Sequence, residues 1–235
     1  MDSEIKKQQR LYDDSWQKTL LAGKVLRSNI ELNLIFLEMT NLLDKSKKIL
    51  EIGCGTGVLV DALTRAGMNI TGTDISQSAI NHGLEKYPNL DLRIAPAEQM
   101  PFDDESFDIV ISFDLLEHIK QVDLHLQQVA RILKKGGYYL FQTPNKYSNS
   151  VFETMKTRSF RWRKYHPSLQ SGGSLKKLLS LHGFDCRFIK LNPFNDFTAK
   201  KLALGRLFVK LLSKINFEYL PLSMQTNFYV IAHKR

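Results

Sequence analysis

Short apolar segments alternate with helical segments along residues 48–142, and this alternation constrains the fold more than any other feature of the sequence. The pattern predicts five strands, at 48–52, 69–73, 90–94, 107–112 and 138–142. Helices are predicted between them at 58–65, 76–86 and 123–133. Strands that alternate with helices form a parallel sheet covered by helices on both faces, and ligands bind at the carboxyl ends of its strands. We therefore expect functional residues directly after strands.

The flanking segments extend this α/β prediction. Residues 4–43 read as helical, residues 146–171 as an irregular basic stretch and residues 174–181 as a helix. A basic amphipathic helix is predicted at 197–215, and two last strands, at 184–191 and 226–232, close the sheet. A length of 235 residues suits one large domain. We predict a single domain over 1–235, with a helical lid at 1–44, a cofactor-binding core at 45–145 and a substrate-side segment at 146–235.

Cysteine content and hydropathy bear on the cellular compartment. Two cysteines, Cys54 and Cys186, are too few for a disulfide framework, and the first residues lack the apolar core of a secretion signal. The apolar stretch at 202–212 is interrupted by Arg206 and Lys210 and is shorter than the roughly 20 residues of a membrane-spanning helix. We expect a cytoplasmic protein.

The sharpest motif is the glycine-rich loop E-I-G-C-G-T-G at 51–57, between the first predicted strand and a helix. Glycines at such a junction let the backbone turn tightly and bring a ligand close to main-chain N–H groups. The dinucleotide fingerprint requires a sixth-position glycine, where this chain has Val58, so the spacing argues against a dehydrogenase. Asp74, 21 residues after Gly53, ends the second strand and is placed to accept hydrogen bonds from a ribose.

Together with the glycine loop, later blocks carry a family resemblance. They are APAEQMPF at 95–102, SFDIVIS at 106–112, LLEHI at 115–119, LKKGG at 133–137 and TPN at 143–145. The chain resembles the class I S-adenosylmethionine-dependent methyltransferases, in particular the ubiquinone-biosynthesis O-methyltransferases and the type 11 methyltransferases. The resemblance implies a Rossmann-like, mostly parallel sheet of seven strands with the last strand antiparallel, and S-adenosyl-L-methionine as cofactor.

The same resemblance implies a set of cofactor contacts. They are Glu51, Gly53, Cys54, Gly55, Thr56, Gly57, Asp74, Ile75, Ala97, Glu98 and Ser112. One position departs from the family pattern, because Pro96 stands where the family usually has an aspartate for the adenine amino group. Proline offers neither a side-chain acceptor nor an N–H. We expect the Ala97 N–H and the Glu98 side chain to hold adenine instead, with Ile75 against its face, although Glu98 also reads as an exposed turn residue.

Methyl transfer from a sulfonium is an in-line displacement, so it needs alignment and, for a hydroxyl acceptor, a base. His118 is the first candidate base because it follows the fourth strand, and His166 is the second. A histidine at the start of a helix also suits simple packing. If 114–118 were helical, Asp114, Glu117 and His118 would share a face and could hold a divalent cation, but we assign no metal.

Five residues are predicted to contact the acceptor or close the site: Tyr12, Trp16, Asn145, Trp162 and Tyr165. Tyr12 and Trp16 are four residues apart and could share one helix face over the cofactor, or pack in the core. Asn145 ends the fifth strand, where it could equally form a turn.

The positive charge lies mostly after residue 145. Of the formal net charge of +9, residues 146–235 hold 17 Lys and Arg against 4 Asp and Glu. Such a region suits an anionic substrate, a lipid surface, nucleic acid or simple solubility. The amphipathic helix at 197–215 could cover the sheet or lie in a lipid interface. Nucleic acid is disfavoured as a substrate. Methyltransferases that act on exocyclic amines of nucleic-acid bases resemble one another in an Asp/Asn-Pro-Pro-aromatic block after the fourth strand, where this chain has F-D-L-L at 113–116.

The sequence therefore predicts methyl transfer to a small or lipid-like acceptor, with a hydroxyl favoured over an amine. Three alternatives stay open: an N-methyltransferase, a protein of the same fold that binds cofactor or a membrane without catalysis, and a dehydrogenase.

Overall fold

The computed structural model describes residues 3–23, 29–159, 163, 165–193, 195, 198, 211 and 214–235. Its α-helices are α1 (Ser3–Leu21), α2 (Ile30–Thr40), α3 (Val58–Arg65), α4 (Gln77–Lys86), α5 (Val122–Ile132), α6 (Lys146–Thr157) and α7 (Gly172–Leu181). Its strands are β1 (Lys48–Ile52), β2 (Asn69–Asp74), β3 (Asp91–Ile94), β4 (Phe107–Phe113), β5 (Leu133–Pro144), β6 (Phe184–Ile189) and β7 (Asn227–Lys234). Short 3₁₀ turns occur at Leu116–His118, Phe217–Tyr219 and Leu222–Met224.

In the described residues the strands form one seven-stranded sheet, in the order β3-β2-β1-β4-β5-β7-β6. The pairs among β1–β5 are parallel, whereas β7 runs antiparallel to both of its neighbours, β5 and β6. This topology confirms the predicted Rossmann-like sheet with an antiparallel last strand. The strand order reverses between β1 and β4, which opens a crevice at their carboxyl ends.

The central strands are apolar on both faces, as a parallel sheet between two helical layers requires. Successive side chains of β1 enter different cores: Ile49 packs with the helices α2, α3 and α4, whereas Leu50 packs with α5 and α7. Both side chains are fully buried. The sheet therefore forms a rigid support for the loops that follow its strands.

Strong local signals explain why several predicted elements match the structure. Gly57 adopts φ 74° where the loop enters α3, a conformation that suits glycine. The Ser76 side chain accepts a hydrogen bond from the Ala79 N–H and caps α4. These residues end the preceding loops and begin the helices at the predicted positions.

The N-terminal prediction was wrong in one respect, because residues 4–43 do not form one continuous helical region. Helix α1 ends at Leu21 and is followed by Gly23 with φ 67°. The side chain of Asn29 accepts a hydrogen bond from the Leu32 N–H at 3.4 Å and begins α2. A glycine after the first helix and an asparagine cap before the second are the signals of this break.

The prediction of an irregular stretch at 146–171 was also wrong, because α6 occupies its first part. The Asn145 side chain accepts a hydrogen bond from the Tyr147 N–H at 3.1 Å, and Arg158 ends the helix at φ 47°. The fifth strand, predicted at 138–142, begins earlier, because β5 starts at Leu133 with a shift of register against β4 and includes Gly136 and Gly137.

Two predictions fall on residues outside those described. Trp162 is one of them, and the amphipathic helix at 197–215 is represented only by residues 198, 211, 214 and 215. Among the described residues, every helix is too short or too polar to cross a membrane.

Candidate active site

A cavity of about 470 Å³ lies at the carboxyl ends of the central strands, where the sheet topology predicts a ligand site. We call its two parts the glycine-loop end and the histidine end. The glycine-loop end is lined by Glu51, Ile52, Gly53, Cys54, Gly55, Thr56, Asp74, Ile75, Ala95, Ala97 and Glu98. The histidine end is lined by Phe113, Asp114, Leu115, Glu117, His118, Ile119, Pro144, Asn149, Glu153 and His166.

The loop after β1 is held to the end of β2 by main-chain hydrogen bonds. The N–H groups of Gly53 and Cys54 both donate to the Thr73 carbonyl, at 2.7 and 2.9 Å. Gly53 and Gly55 adopt φ values of 77° and 55°, which residues with a side chain rarely adopt. The loop therefore presents its backbone directly to the cavity.

Asp74 joins the glycine loop to the start of α4. One carboxylate oxygen, Oδ2, accepts from the Gly55 N–H at 2.8 Å, and the other, Oδ1, accepts from the Ser76 N–H at 2.9 Å. The side chain is buried and lines the cavity. Each carboxylate oxygen can accept more than one hydrogen bond, so Asp74 keeps the capacity to receive hydroxyl groups of a ligand.

Glu51 is a buried acid at the base of the same loop. Burial, together with the nearby negative charge of Asp74, raises the pKa of Glu51 to about 8. Among the described residues its Oε2 atom has no hydrogen-bond partner, and the same holds for Thr56 Oγ1 and Glu98 Oε2. Buried polar atoms are rarely left unpaired, so three of them around one cavity point to a ligand that carries hydrogen-bond donors.

Helix α1 forms a wall that touches both ends of the cavity. Gln8, Tyr12 and Trp16 recur every four residues along it and line the cavity, as the spacing of the two aromatic residues predicts. A Cβ atom at Gly55 would lie only 2.6 Å from Trp16 Cζ2, so the indole covers the glycine loop closely. The Tyr12 ring lies 5.9 Å from the His118 ring, centroid to centroid.

Hydrogen bonds hold α1 against α4. The Asp13 carboxylate accepts from the Ser76 hydroxyl at 2.7 Å and from the Ser78 N–H at 3.1 Å. These bonds place a negative charge at the N-terminus of α4, where it is favourable.

His118 is held in one tautomer by its surroundings. Its Nδ1 lies 2.7 Å from the Tyr165 carbonyl oxygen, which can only accept, so Nδ1 carries the proton. In the neutral ring Nε2 therefore holds a lone pair. The Glu117 Oε1 atom lies 3.9 Å from this nitrogen, while Glu117 Oε2 accepts a hydrogen bond from the Thr143 hydroxyl at 3.1 Å.

His166 lies beside His118 and has the opposite tautomer. The ring centroids are 4.9 Å apart, and the Asn149 amide nitrogen lies 3.2 Å from His166 Nδ1. Because an amide NH₂ group can only donate, Nδ1 accepts and the proton of the neutral ring is on Nε2. The histidine end thus combines an acceptor, His118 Nε2, with a donor, His166 Nε2–H.

The structure does not bring every predicted site residue to the cavity. Gly57 begins α3, and a Cβ there would lie 2.9 Å from Leu92 Cδ1. Ser112 is fully buried and hydrogen-bonded to the Tyr139 hydroxyl at 2.7 Å. Tyr165 is about half exposed and contributes its backbone carbonyl to His118.

The acceptor role of Asn145 requires a correction. Its side chain is fully buried, donates to the Ser223 and Gln225 carbonyls at 3.0 and 2.8 Å, and caps α6. All of its hydrogen-bonding groups are used inside the protein, so we remove Asn145 from the acceptor contacts.

The possibility of a metal held by Asp114, Glu117 and His118 is not supported either. Only Leu116–His118 form a single 3₁₀ turn, and Asp114 precedes it at φ 50°, so the three side chains do not share a helical face. Among the described residues, no group of three or more metal-ligating side chains is placed to hold an ion.

Sequence reasoning missed three polar residues of the cavity: Gln8, Asn149 and Glu153. Gln8 lies one turn before Tyr12, so extending the four-residue spacing would have found it. Asn149 and Glu153 are also four residues apart, on a helix that the sequence did not predict.

Comparison with known families agrees with this architecture. A family model described as a methyltransferase domain matches residues 24–187. Two curated relatives are named ubiquinone biosynthesis O-methyltransferase. The protein of Bartonella bacilliformis is 32% identical over 163 residues, which cover 63% of this chain and 65% of the relative. The protein of Chelativorans sp. is 35% identical over 103 residues, which cover 42% and 41%.

In neither of these relatives does the match reach two thirds of the relative's length. Among solved structures, the chain is similar to a phosphoethanolamine N-methyltransferase of Haemonchus contortus, crystallised with phosphomonomethylethanolamine and S-adenosylhomocysteine. The TM-score is 0.62 at 21% identity, over 87% of this chain and 53% of that one. The chain therefore belongs to the methyltransferase domain family and has the fold of its class I, S-adenosylmethionine-dependent branch.

Proposed function

We propose that this protein transfers a methyl group from S-adenosylmethionine to a hydroxyl group of a small or lipid-like acceptor, with His118 as the general base. One observation carries this proposal: His118, whose Nδ1 is taken by the Tyr165 carbonyl, lines the same cavity as the glycine loop, with the Glu117 carboxylate 3.9 Å from its Nε2. A base next to a cofactor site is the arrangement that methylation of a hydroxyl requires.

The residues of the glycine-loop end fit the cofactor. S-adenosylmethionine carries ribose hydroxyls and two amino groups, and it supplies an electrophilic methyl group on a sulfonium centre. Asp74 would accept from the hydroxyls, and Glu51 and Glu98, which each have one oxygen without a partner among the described residues, would accept from N–H groups. Gly53 and Gly55 also line the cavity, and because they lack side chains their main chain can contact a ligand directly.

At the histidine end the two rings divide the work. His118 takes the acceptor proton on Nε2, and Glu117 stabilises the resulting imidazolium. The Nε2–H of His166 donates a hydrogen bond that orients the acceptor oxygen. The Tyr12 and Trp16 side chains of helix α1 exclude water from His118 and from the acceptor oxygen.

Methylation of an amine is the second candidate. Asp114, Glu117 and Glu153 place carboxylates at the histidine end, and carboxylates favour a cationic acceptor. An ammonium group must also lose a proton before it attacks, so the same base would serve. The fold likeness to a phosphoethanolamine N-methyltransferase supports including amines in the tests.

Calorimetric titration of S-adenosylmethionine, followed by a screen with methyl-labelled cofactor against phenols, lipid-like alcohols and amines, tests the proposal. We expect saturable binding, loss of binding in Asp74→Ala, and transfer to a hydroxyl compound. Absence of binding at millimolar cofactor rejects the cofactor assignment. Binding without turnover favours a protein that senses the cofactor, and transfer only to amines replaces O-methylation by N-methylation.

A further inference from the structure

A chain of buried hydrogen bonds runs from the centre of the sheet to the glycine-loop end of the cavity. His125 of α5 lies between two partners: its Nδ1 is 3.0 Å from the Ala97 carbonyl oxygen and its Nε2 is 3.1 Å from the Tyr139 hydroxyl. Tyr139 of β5 is in turn 2.7 Å from the Ser112 hydroxyl of β4. The side chains of all three residues are completely buried.

The partners fix the direction of every hydrogen bond in this chain. The Ala97 carbonyl can only accept, so the His125 proton lies on Nδ1. Burial lowers the pKa of His125 to about 4, which keeps the ring neutral, and Nε2 then accepts from the Tyr139 O–H. The single phenolic proton is thereby used, and the Ser112 hydroxyl donates to the Tyr139 oxygen.

The same geometry orients the peptide group between Ala97 and Glu98. In a trans peptide the C=O and N–H bonds point in opposite directions. Because the Ala97 carbonyl points towards His125, the Glu98 N–H points away from it. That N–H is hydrogen-bonded to the Glu98 carboxylate, which opposes the rise in pKa that burial causes.

Glu98 ends this chain in the cavity. The residue is 6% exposed and lines the cavity, and among the described residues its Oε2 atom has no partner. The turn that carries it lies next to the ribose site, because the Ala95 N–H donates to the Asp74 carbonyl at 3.0 Å. A base attached to a ribose at Asp74 therefore lies within reach of Glu98.

We propose that His125 is a positioning residue, which through the peptide group of Ala97 and Glu98 aims the Glu98 carboxylate at the exocyclic amino group of the cofactor's adenine. The inference rests on the cofactor of the proposed function. Pro96, beside this turn, has neither a side-chain acceptor nor an N–H, so the task of holding the amino group falls on Glu98. A carboxylate oxygen accepts a hydrogen bond from the 6-amino group of adenine and repels the carbonyl oxygen of a 6-oxopurine. This series of hydrogen bonds therefore also determines which base is bound.

The test compares S-adenosylhomocysteine with S-inosylhomocysteine, in which the 6-amino group is replaced by a carbonyl oxygen and the neighbouring N1 carries a proton. Binding of each is measured by calorimetry to the unmodified protein, to His125→Phe and to His125→Asn. The phenyl ring keeps the shape but lacks both hydrogen bonds, whereas the asparagine amide can still donate to the Ala97 carbonyl. A purely structural role of His125 would weaken both ligands equally and leave their ratio unchanged.

We expect the unmodified protein to bind the adenine compound about tenfold more tightly than the inosine compound. We expect His125→Phe to reduce this preference to about twofold, and His125→Asn to restore most of it. Tyr139→Phe removes the donor to His125 Nε2 together with the acceptor of the Ser112 hydroxyl, and leaves the bond between His125 and Ala97 in place. It should shift the ratio in the same direction by a smaller factor and serves if His125→Phe does not fold.

A preference that is unchanged in His125→Phe, or in Tyr139→Phe where the former does not fold, overturns the inference. If Glu98→Gln abolishes the preference while these variants retain it, Glu98 acts without His125 and the inference alone fails. If the unmodified protein binds neither ligand, the proposed cofactor fails together with the inference.

Discussion

The two ends of the cavity are built in different ways. At the glycine-loop end, main-chain hydrogen bonds from two neighbouring parallel strands hold the loop, and Gly55 donates directly to Asp74. At the histidine end, the working groups come from a 3₁₀ turn, a helix and a loop, and single contacts such as that between His118 and the Tyr165 carbonyl hold them together.

The difference indicates how each end can vary. A site made of backbone from a buried sheet tolerates few residue types, which suits a ligand shared by a whole family. A site made of side chains on separate elements can change one residue at a time, which suits an acceptor that differs between family members. Substitutions at the glycine-loop end should therefore change cofactor affinity, and substitutions at the histidine end should change turnover.

The largest effect is expected for His118→Gln, which removes the base and retains a polar side chain. We expect kcat to fall by about 10²- to 10⁴-fold, the usual contribution of a positioned base, with cofactor affinity changed by less than about twofold. Steady-state rates and calorimetry measure the two quantities. His82→Gln on α4, away from the cavity, is the matched control, and an unchanged kcat in His118→Gln would contradict the assignment.

Gly55→Ala tests the other end. The new Cβ would lie 2.6 Å from Trp16 Cζ2 at a backbone φ of 55°, so the loop or the indole must move. We expect cofactor affinity to fall by about 100-fold, measured by calorimetry. Gly23→Ala has a similar φ of 67° and open space around it, so it separates backbone strain from the clash. Equal cofactor affinity in Gly55→Ala and the unmodified protein would show that the loop does not contact the cofactor closely.

Glu51→Gln should weaken cofactor binding by about tenfold at pH 9, above the raised pKa of Glu51, because it removes a negative charge from the site of a cationic ligand. It should also change how stability depends on pH. The folded protein keeps Glu51 protonated up to about pH 8, whereas an ordinary glutamate loses that proton near 4.5. The folded state therefore binds more protons in this window, and the free energy of unfolding falls as the pH rises through it.

Without cofactor, Glu51→Gln should be more stable than the unmodified protein at pH 9, by about 4 to 5 kcal/mol, and by less than about 1 kcal/mol at pH 5. Thermal unfolding at both pH values measures the difference. Glu85→Gln, on the exposed side of α4, provides the control. Parallel stability curves for Glu51→Gln and the unmodified protein would refute the buried, protonated state.

The smallest effect is expected for Asn149→Ala, which removes the donor to His166 Nδ1. His166 keeps its ring but loses the contact that fixes its tautomer, so kcat/KM should fall by about threefold to tenfold. Asn81→Ala on α4 is the control. A loss as large as that of His118→Gln would give His166 a role equal to that of His118.

The sequence predicted the glycine-loop half of the fold well because local chemistry determines it. Gly57 and Ser76 begin their helices through backbone conformation and capping, which act within a few residues. The same local rules failed at 146–171, where α6 has no strong apolar stripe and its cap, Asn145, also suits a turn. The predicted cofactor contacts came from the resemblance, whereas the predicted acceptor contacts included the buried cap Asn145.

The contacts that define the histidine end could not be read from the sequence. The hydrogen bond between His118 and Tyr165 joins residues 47 positions apart, and it depends on where α6 and the following loop pack. The sequence left open whether Trp16 lies over the site or packs in the core, because its position against Gly55 depends on how α1 docks on α4 through Asp13. Tertiary packing determines both contacts, and a single sequence does not show which distant residues pack together.

Helix α1 is common to the two ends of the cavity. Trp16 stands against the glycine loop and Tyr12 stands beside His118, on the same rigid face. Any outward swing of this helix would uncover both ends at once, and any return would shut both. The two substrates would then enter, and the two products leave, through the same opening. The order in which they bind and dissociate would depend on the position of that one helix.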